Sequence, residues 1–346
     1  MPRFLIEREI TGPSRLTPEQ CRASSTATGA PPSACCWTVS QEKPVPPASH
    51  DPAQHHTVCA TMTGNVTAVA VAGGRTGEHP SADPATDRVR RLWAAGDDER
   101  IAAGYRREAE AFVARQRLGP GVRVLDAACG SGNTTIAAAR TGASVTGLDL
   151  VGTTLESAGA GAAREGLTVA FDRGNVERLP YTDGAFDVVL SMFGVMFAAR
   201  PDRVLAELAR VTRPGARVAL ASWTPGGFMG ELLAIQASHL PPLLDLPDPL
   251  RWGDPEVVGD WLEGGMWEVE TAVRTLSLGY PHAPAGTAEL FRAAYGPTVC
   301  AFRTLDEDRR AALAADLTSH WARHRRLTAA GTEVGAEFLE LLARRR

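Results

Sequence analysis

Val124-Leu125-Asp126-Ala127-Ala128-Cys129-Gly130-Ser131-Gly132-Asn133-Thr134-Thr135 reads as the end of a buried strand, a glycine turn and the start of a helix. Residues 122–128 are apolar and β-rich, and a helical pattern follows from about 133 to 140. Two glycines let the backbone turn tightly and let a ligand approach without a Cβ in the way. The first turn of the helix offers free N–H groups to a negative group such as a carboxylate. In an open parallel sheet, ligands bind beyond the carboxyl ends of the strands, where this turn lies.

Gly-x-Gly alone would suit a dinucleotide as well. Two features count against that reading. The third glycine of the dinucleotide fingerprint is missing, because Thr135 stands in its place. Asp126 also precedes the glycines, where a carboxylate repels a pyrophosphate and welcomes a cation.

Outward from this turn, strand-like and helix-like runs alternate. Strands are expected at 144–150, 168–172, 186–191 and 217–223, and helices at 153–165 and 202–212. In the second of these helices Val204, Leu205, Leu208 and Val211 share one face, and Pro201 marks its entry. Arg213-Pro214-Gly215 reads as a turn. Short, nearly continuous apolar strands in this order predict an α/β fold with a mostly parallel sheet covered by helices on both faces. Upstream, residues 87–116 predict two helices broken around Gly96-Asp97-Asp98. Downstream, the pattern predicts helices at 229–239, 254–263, 287–295 and 306–325 and a long strand at 267–280. A short strand at 327–334 and a helix at 336–344 complete the chain. The helices between 286 and 325 interrupt the late strands and are expected to cap the site.

Residues 1–84 differ in character. From 23 to about 83 the chain is rich in Ser, Thr, Pro, Ala and Gly without a sustained apolar period, which predicts a largely disordered leader. Residues 4–10 look like a strand and Thr17-Pro18-Glu19-Gln20 like a helix start. That opening resembles the first elements of a small ferredoxin-like domain. It reads as a truncated remnant, or as an artefact if translation starts at Met62.

A net charge of −4 gives no electrostatic footprint for nucleic acid. No run of about 18 uninterrupted apolar residues is present, so no membrane span is expected, and a cytoplasmic location is the default. The six cysteines include no Cys-x-x-Cys pair, and no metal is expected.

The stretch Val-Leu-Asp-x-x-Cys-Gly-x-Gly-x-x-Thr, from Val124 to Thr135, resembles the first motif of class I S-adenosylmethionine-dependent methyltransferases. The likeness runs from about Arg88 to Leu342 and is nearest to the small-molecule, ubiquinone/menaquinone-biosynthesis type. It implies a Rossmann-like, mostly parallel seven-stranded sheet with a helical cap, and S-adenosyl-L-methionine as cofactor. By that resemblance Asp126 anchors the methionine ammonium, and the backbone at Ala128, Gly130 and Gly132 lines the methionine and ribose. Asp149 ends the second strand and accepts from both ribose hydroxyls. Leu150 packs on the adenine, Asn175 stands where the family has Asp at the adenine amino group, and the Val176 N–H meets adenine N1. Ser191 and Met192 face the methyl group. The resemblance implies a small-molecule acceptor. Among the histidines, His282 follows the long late strand and is the candidate general base. Tyr105 and Tyr295 are candidates for shaping the acceptor pocket, and Trp93 for packing. The competing readings are an NAD(P)-dependent oxidoreductase and a non-catalytic S-adenosylmethionine-binding module.

Overall fold

The computed structural model describes residues 83–241, 246–328 and 331–346. The strand and helix expected before residue 25, and the segment from 23 to 82, lie outside the described residues.

Local chemistry sets the helix starts. Helix α1 (Pro84–Ala94) opens with proline at its first position, and the Asp83 carboxylate accepts from the Ala85 N–H. Asp97 caps α2 (Asp98–Ala102) in the same way, through the Arg100 N–H. A single 3-10 turn, Ala103–Tyr105, separates α2 from α3 (Arg106–Arg115). The expected break at Gly96 is therefore present, and a second one follows it.

Strand β1 (Arg123–Ala127) leads through α4 (Asn133–Ala139) to β2 (Ser144–Asp149), and α5 (Gly152–Arg164) leads to β3 (Ala170–Arg173). The chain then crosses to the other side of β1 for β4 (Phe186–Met192), and α6 (Pro201–Val211) connects to β5 (Thr212–Trp223). Val204, Leu208 and Val211 are the buried face of α6, as its spacing predicts. Helices α7 (Phe228–His239) and α8 (Pro255–Leu262) precede the long strand β6 (Trp267–Tyr280). Next come α9 (Pro284–Ala294), α10 (Gly296–Thr304) and α11 (Glu307–His324), then β7 (Arg326–Thr328) and β8 (Gly331–Arg345).

The sheet runs β3-β2-β1-β4-β5-β8-β6, a seven-strand path with the short β7 paired to β8. β3 to β5 are parallel, and β8 is antiparallel to both of its neighbours, β5 and β6. This is the mostly parallel, Rossmann-like architecture expected from the sequence. The order reverses at β1, so the carboxyl ends of β1, β2 and β4 open onto a crevice. Leu125, Val189 and Leu190 on the central strands are fully buried. Each such side chain contributes about 1.5–3 kcal/mol.

Two readings need correction. The expected helix at 336–344 is strand: β8 runs unbroken to Arg345 and pairs with β6 from Thr332↔Tyr280 to Arg345↔Trp267. Thr332, Val334, Ala336 and Phe338 are buried at every second position, the period of a strand with one face covered. Strong helix formers in Glu337–Ala343 obscured that alternation, and sheet pairing overrode their propensity. Helix α10 was not expected at all. The Arg213-Pro214-Gly215 turn survives as an irregularity inside β5, where pairing jumps from Phe186↔Thr212 to Val188↔Arg217.

Candidate functional site

The crevice holds a cavity of about 1220 Å³, counting its open mouth. Its floor is the glycine turn. Ala128 leaves β1 with φ 57°, a left-handed conformation uncommon for a residue with a Cβ. Gly130 follows at φ 53°, and a Cβ there would stand 2.6 Å from Asp98 Oδ2. Phe193, just past β4, is also left-handed at φ 58°. Bulky residues take that conformation only where their surroundings enforce it, and such strain gathers at functional sites. Here Phe193 is held by stacking on Trp223, with ring centroids 3.5 Å apart and 7° between planes.

Carboxyl groups surround the turn. Asp149, at the end of β2, accepts the Gly130 N–H through Oδ2 and the Val151 N–H through Oδ1, both at 2.9 Å. Burial raises its pKa to about 6. Asp98, from α2, accepts the Ser131 N–H at 2.8 Å, and burial raises its pKa too. Nearby, the Asn133 amide donates to the Ala102 carbonyl at 2.8 Å. These two bonds fasten the N-terminal helices over the turn. Arg90 is the only Lys, Arg or His along the described wall, and it is bound to Asp87 at 2.8 Å.

Six of the expected site residues line this cavity: Ala128, Gly130, Asp149, Leu150, Asn175 and Val176. Three others stand behind it. Asp126 is buried beneath the turn, where Oδ2 accepts from the Thr135 hydroxyl at 2.5 Å, and burial raises its pKa to about 7. Gly132 caps α4 at φ 87°, packed against Ala158. The Ser191 hydroxyl donates to the Ala127 carbonyl at 2.6 Å and accepts from the Val195 N–H at 3.1 Å. Met192, by contrast, lines the cavity. His282 is exposed in the turn between β6 and α9 and is not among the residues that line the cavity. Asn175 is committed on both sides of its amide. Its Nδ2 donates to the Thr86 hydroxyl at 3.3 Å, and its Oδ1 accepts from the Glu177 N–H at 2.9 Å.

The upper wall is aromatic. Trp93 meets Phe197 and Tyr295 edge-on, with centroids 4.8 and 5.7 Å away, and Tyr105 meets Phe193 at 5.5 Å. Helix α9 and the residue after it contribute Phe291 and Tyr295. Tyr280 donates to the Ile101 carbonyl at 2.7 Å, whereas the buried Tyr295 hydroxyl has no hydrogen-bond partner among the described residues. Sequence reasoning missed Asp98 and Tyr280. The doubled acid Asp97-Asp98 at the helix break was the available signal for the first; nothing local marked the second.

Known proteins resemble this chain. An uncharacterised protein of Mycobacterium tuberculosis is 38% identical over 230 residues, covering 66% of this chain and 83% of the relative. Residues 125–220 match the family described as a methyltransferase domain. This chain belongs to the class I S-adenosylmethionine-dependent methyltransferase family. The Rossmann-like fold is shared with the YcgJ protein of Bacillus subtilis, at TM-score 0.50 and 16% identity over 69% of this chain and 99% of that one. A demethylmenaquinone methyltransferase of Mycobacterium bovis is 38% identical over 108 residues, 31% of this chain and 44% of that enzyme.

Among the described residues no helix is long and apolar enough to cross a membrane.

Proposed function

We propose that this protein transfers a methyl group from S-adenosylmethionine to an O, N or C atom of a small, largely apolar acceptor by in-line displacement. The charge of the cavity carries the reading. Two carboxyls, Asp98 and Asp149, meet the N–H groups of one glycine turn, while the single lining cation is already paired. Such a wall favours a ligand bearing positive charge and hydroxyls and opposes a pyrophosphate.

The residues fit the cofactor. Asp149 Oδ2 spends one acceptor site on the Gly130 N–H and keeps another for a ribose hydroxyl, whereas Oδ1 already accepts from the Val151 N–H and, at 3.4 Å, from the Thr154 hydroxyl. Leu150 and Val176 offer apolar surface to a flat base. Asp98 faces the space over Gly130, where an ammonium group would sit, and Asp126 holds the turn from below through Thr135. When bound, S-adenosylmethionine supplies a methyl group activated by its sulfonium.

The chain's own task is then placement. Trp93, Phe197, Phe291 and Phe193 exclude water and hold an apolar acceptor. Orientation of this kind supplies about 7–11 kcal/mol of a bimolecular barrier. Burial keeps the Tyr295 hydroxyl protonated, its pKa pushed well above the ordinary value. It therefore serves as a donor that orients a polar atom of the acceptor, and not as a base.

Incubation with methyl-labelled S-adenosylmethionine and a panel of hydroxylated aromatics, quinols and amines tests the reading. Label transfer to at least one acceptor is expected. Absence of both label transfer and cofactor binding would contradict it.

A further inference from the structure

A second polar cluster lies outside the cavity, between α7 and α11. Glu231 stands in the first turn of α7, and His320 and His324 lie one turn apart near the end of α11. Their ligand atoms, one carboxylate oxygen and two imidazole nitrogens, all lie within 4.8 Å of one another. Glu231 Oε2 is 3.6 Å from His320 Nδ1 and 3.2 Å from His324 Nε2.

The hydrogen bonding of His320 decides what this cluster holds. The ring is fully buried, and its Nε2 lies 3.0 Å from the Phe228 carbonyl oxygen. A carbonyl only accepts, so Nε2 carries the proton and Nδ1 of the neutral ring presents a lone pair. That Nδ1 has no hydrogen-bond partner among the described residues, and it points at a carboxylate oxygen. A lone pair facing a carboxylate is repulsive unless a cation lies between them. A second proton on the ring would serve, but it would place an imidazolium in a fully buried site. A histidine oriented by a backbone carbonyl on its far nitrogen is the usual arrangement of a metal-bound imidazole.

We propose that Glu231, His320 and His324 bind one divalent transition-metal ion of the zinc class, clasping α7 to α11. Two imidazole nitrogens and a carboxylate form the ligand set such ions accept, with a fourth position open to water. Ligands about 2 Å from a tetrahedral ion stand roughly 3.3 Å apart, so the cluster needs only a small closure. The two half-exposed side chains, Glu231 and His324, are the ones placed to make it. The His-x-x-x-His pair, His320 and His324, is not singled out as a ligand pair in the sequence, where the Cys and His spacings predict no metal. The clasp would brace the cavity from behind. Met229, two residues before Glu231 on α7, lines the wall, and Trp321, next to His320 in the chain, packs on Phe291 at 5.1 Å. The inference does not depend on methyl transfer.

The test uses the full chain, stripped of metal by a chelator and titrated with Zn²⁺ and Co²⁺. His324→Ala and Glu231→Gln alter half-exposed side chains, and circular dichroism confirms that each variant folds. The wild type is expected to bind one more ion than either variant, to unfold at higher temperature with Zn²⁺, and to give visible Co²⁺ absorption. Affinity at this site should fall at least about 10-fold in each variant, the lower bound seen when even an outer-shell partner is lost. Equal stoichiometry and equal thermal shifts in wild type and variants would overturn the proposal, as would no Zn²⁺ effect on the wild type.

Discussion

Asp98 Oδ2 accepts the Ser131 N–H at 2.8 Å, joining the second helix to a turn 33 residues further along the chain. The contact places a carboxyl from the N-terminal cover directly over the glycines, opposite Asp149. Hydrogen bonds to a charged group are worth about 1.5–3 kcal/mol. Asp98→Ala is therefore expected to weaken S-adenosylmethionine binding about 10-fold by calorimetry. Unaltered affinity would show that the contact is structural only.

Asp149→Ala removes the acceptor for the ribose hydroxyls and also the support of the Gly130 N–H. A loss of at least about 10-fold in cofactor affinity is expected on the same scale. Retained affinity would contradict the ribose assignment.

Acidity gives a separate handle. Asp149 and Asp126 have pKa values raised by burial to about 6 and about 7. A raised carboxyl stabilises the fold fully below its unfolded pKa, and that contribution is lost as pH rises through its folded pKa. Asp126→Asn should therefore gain stability relative to the wild type as pH rises from about 4 to about 7, as measured by denaturant unfolding. Cofactor binding favours the ionised Asp149, so affinity should fall as pH drops below about 6. A flat profile in both measurements would remove this account of the two acids.

Tyr295 separates stability from turnover. Its hydroxyl is buried without a partner among the described residues, a state that costs about 1–3 kcal/mol. Tyr295→Phe is expected to raise the unfolding temperature while lowering kcat/KM for the acceptor, with cofactor affinity unchanged. A variant that is both less stable and equally active would refute the orienting role.

Much of this was legible before the structure. The run from Val124 to Thr135, the acid at Asp149 and the amphipathic spacing in α6 each express a local rule, so strand, turn and helix fell where expected. Six site residues met at the cavity because the carboxyl ends of parallel strands converge there. What the sequence hid is non-local. Asp126 is the acid nearest the glycines in sequence, yet it lies beneath them, and Asp98 reaches the turn from another element. The strand after Gly331 was masked by helix-forming residues, and only its pairing with β5 and β6 reveals it. His282 lay close to the site along the chain and remains on the surface.

The central claim is that the glycine turn, with its carboxyls, takes S-adenosylmethionine and not a dinucleotide. Isothermal titration of the full chain with S-adenosylmethionine and, separately, NADH tests it most directly. The account predicts saturable 1:1 binding of S-adenosylmethionine, weakened in Asp149→Ala, with no heat from NADH. Tight NADH binding without S-adenosylmethionine binding would contradict it.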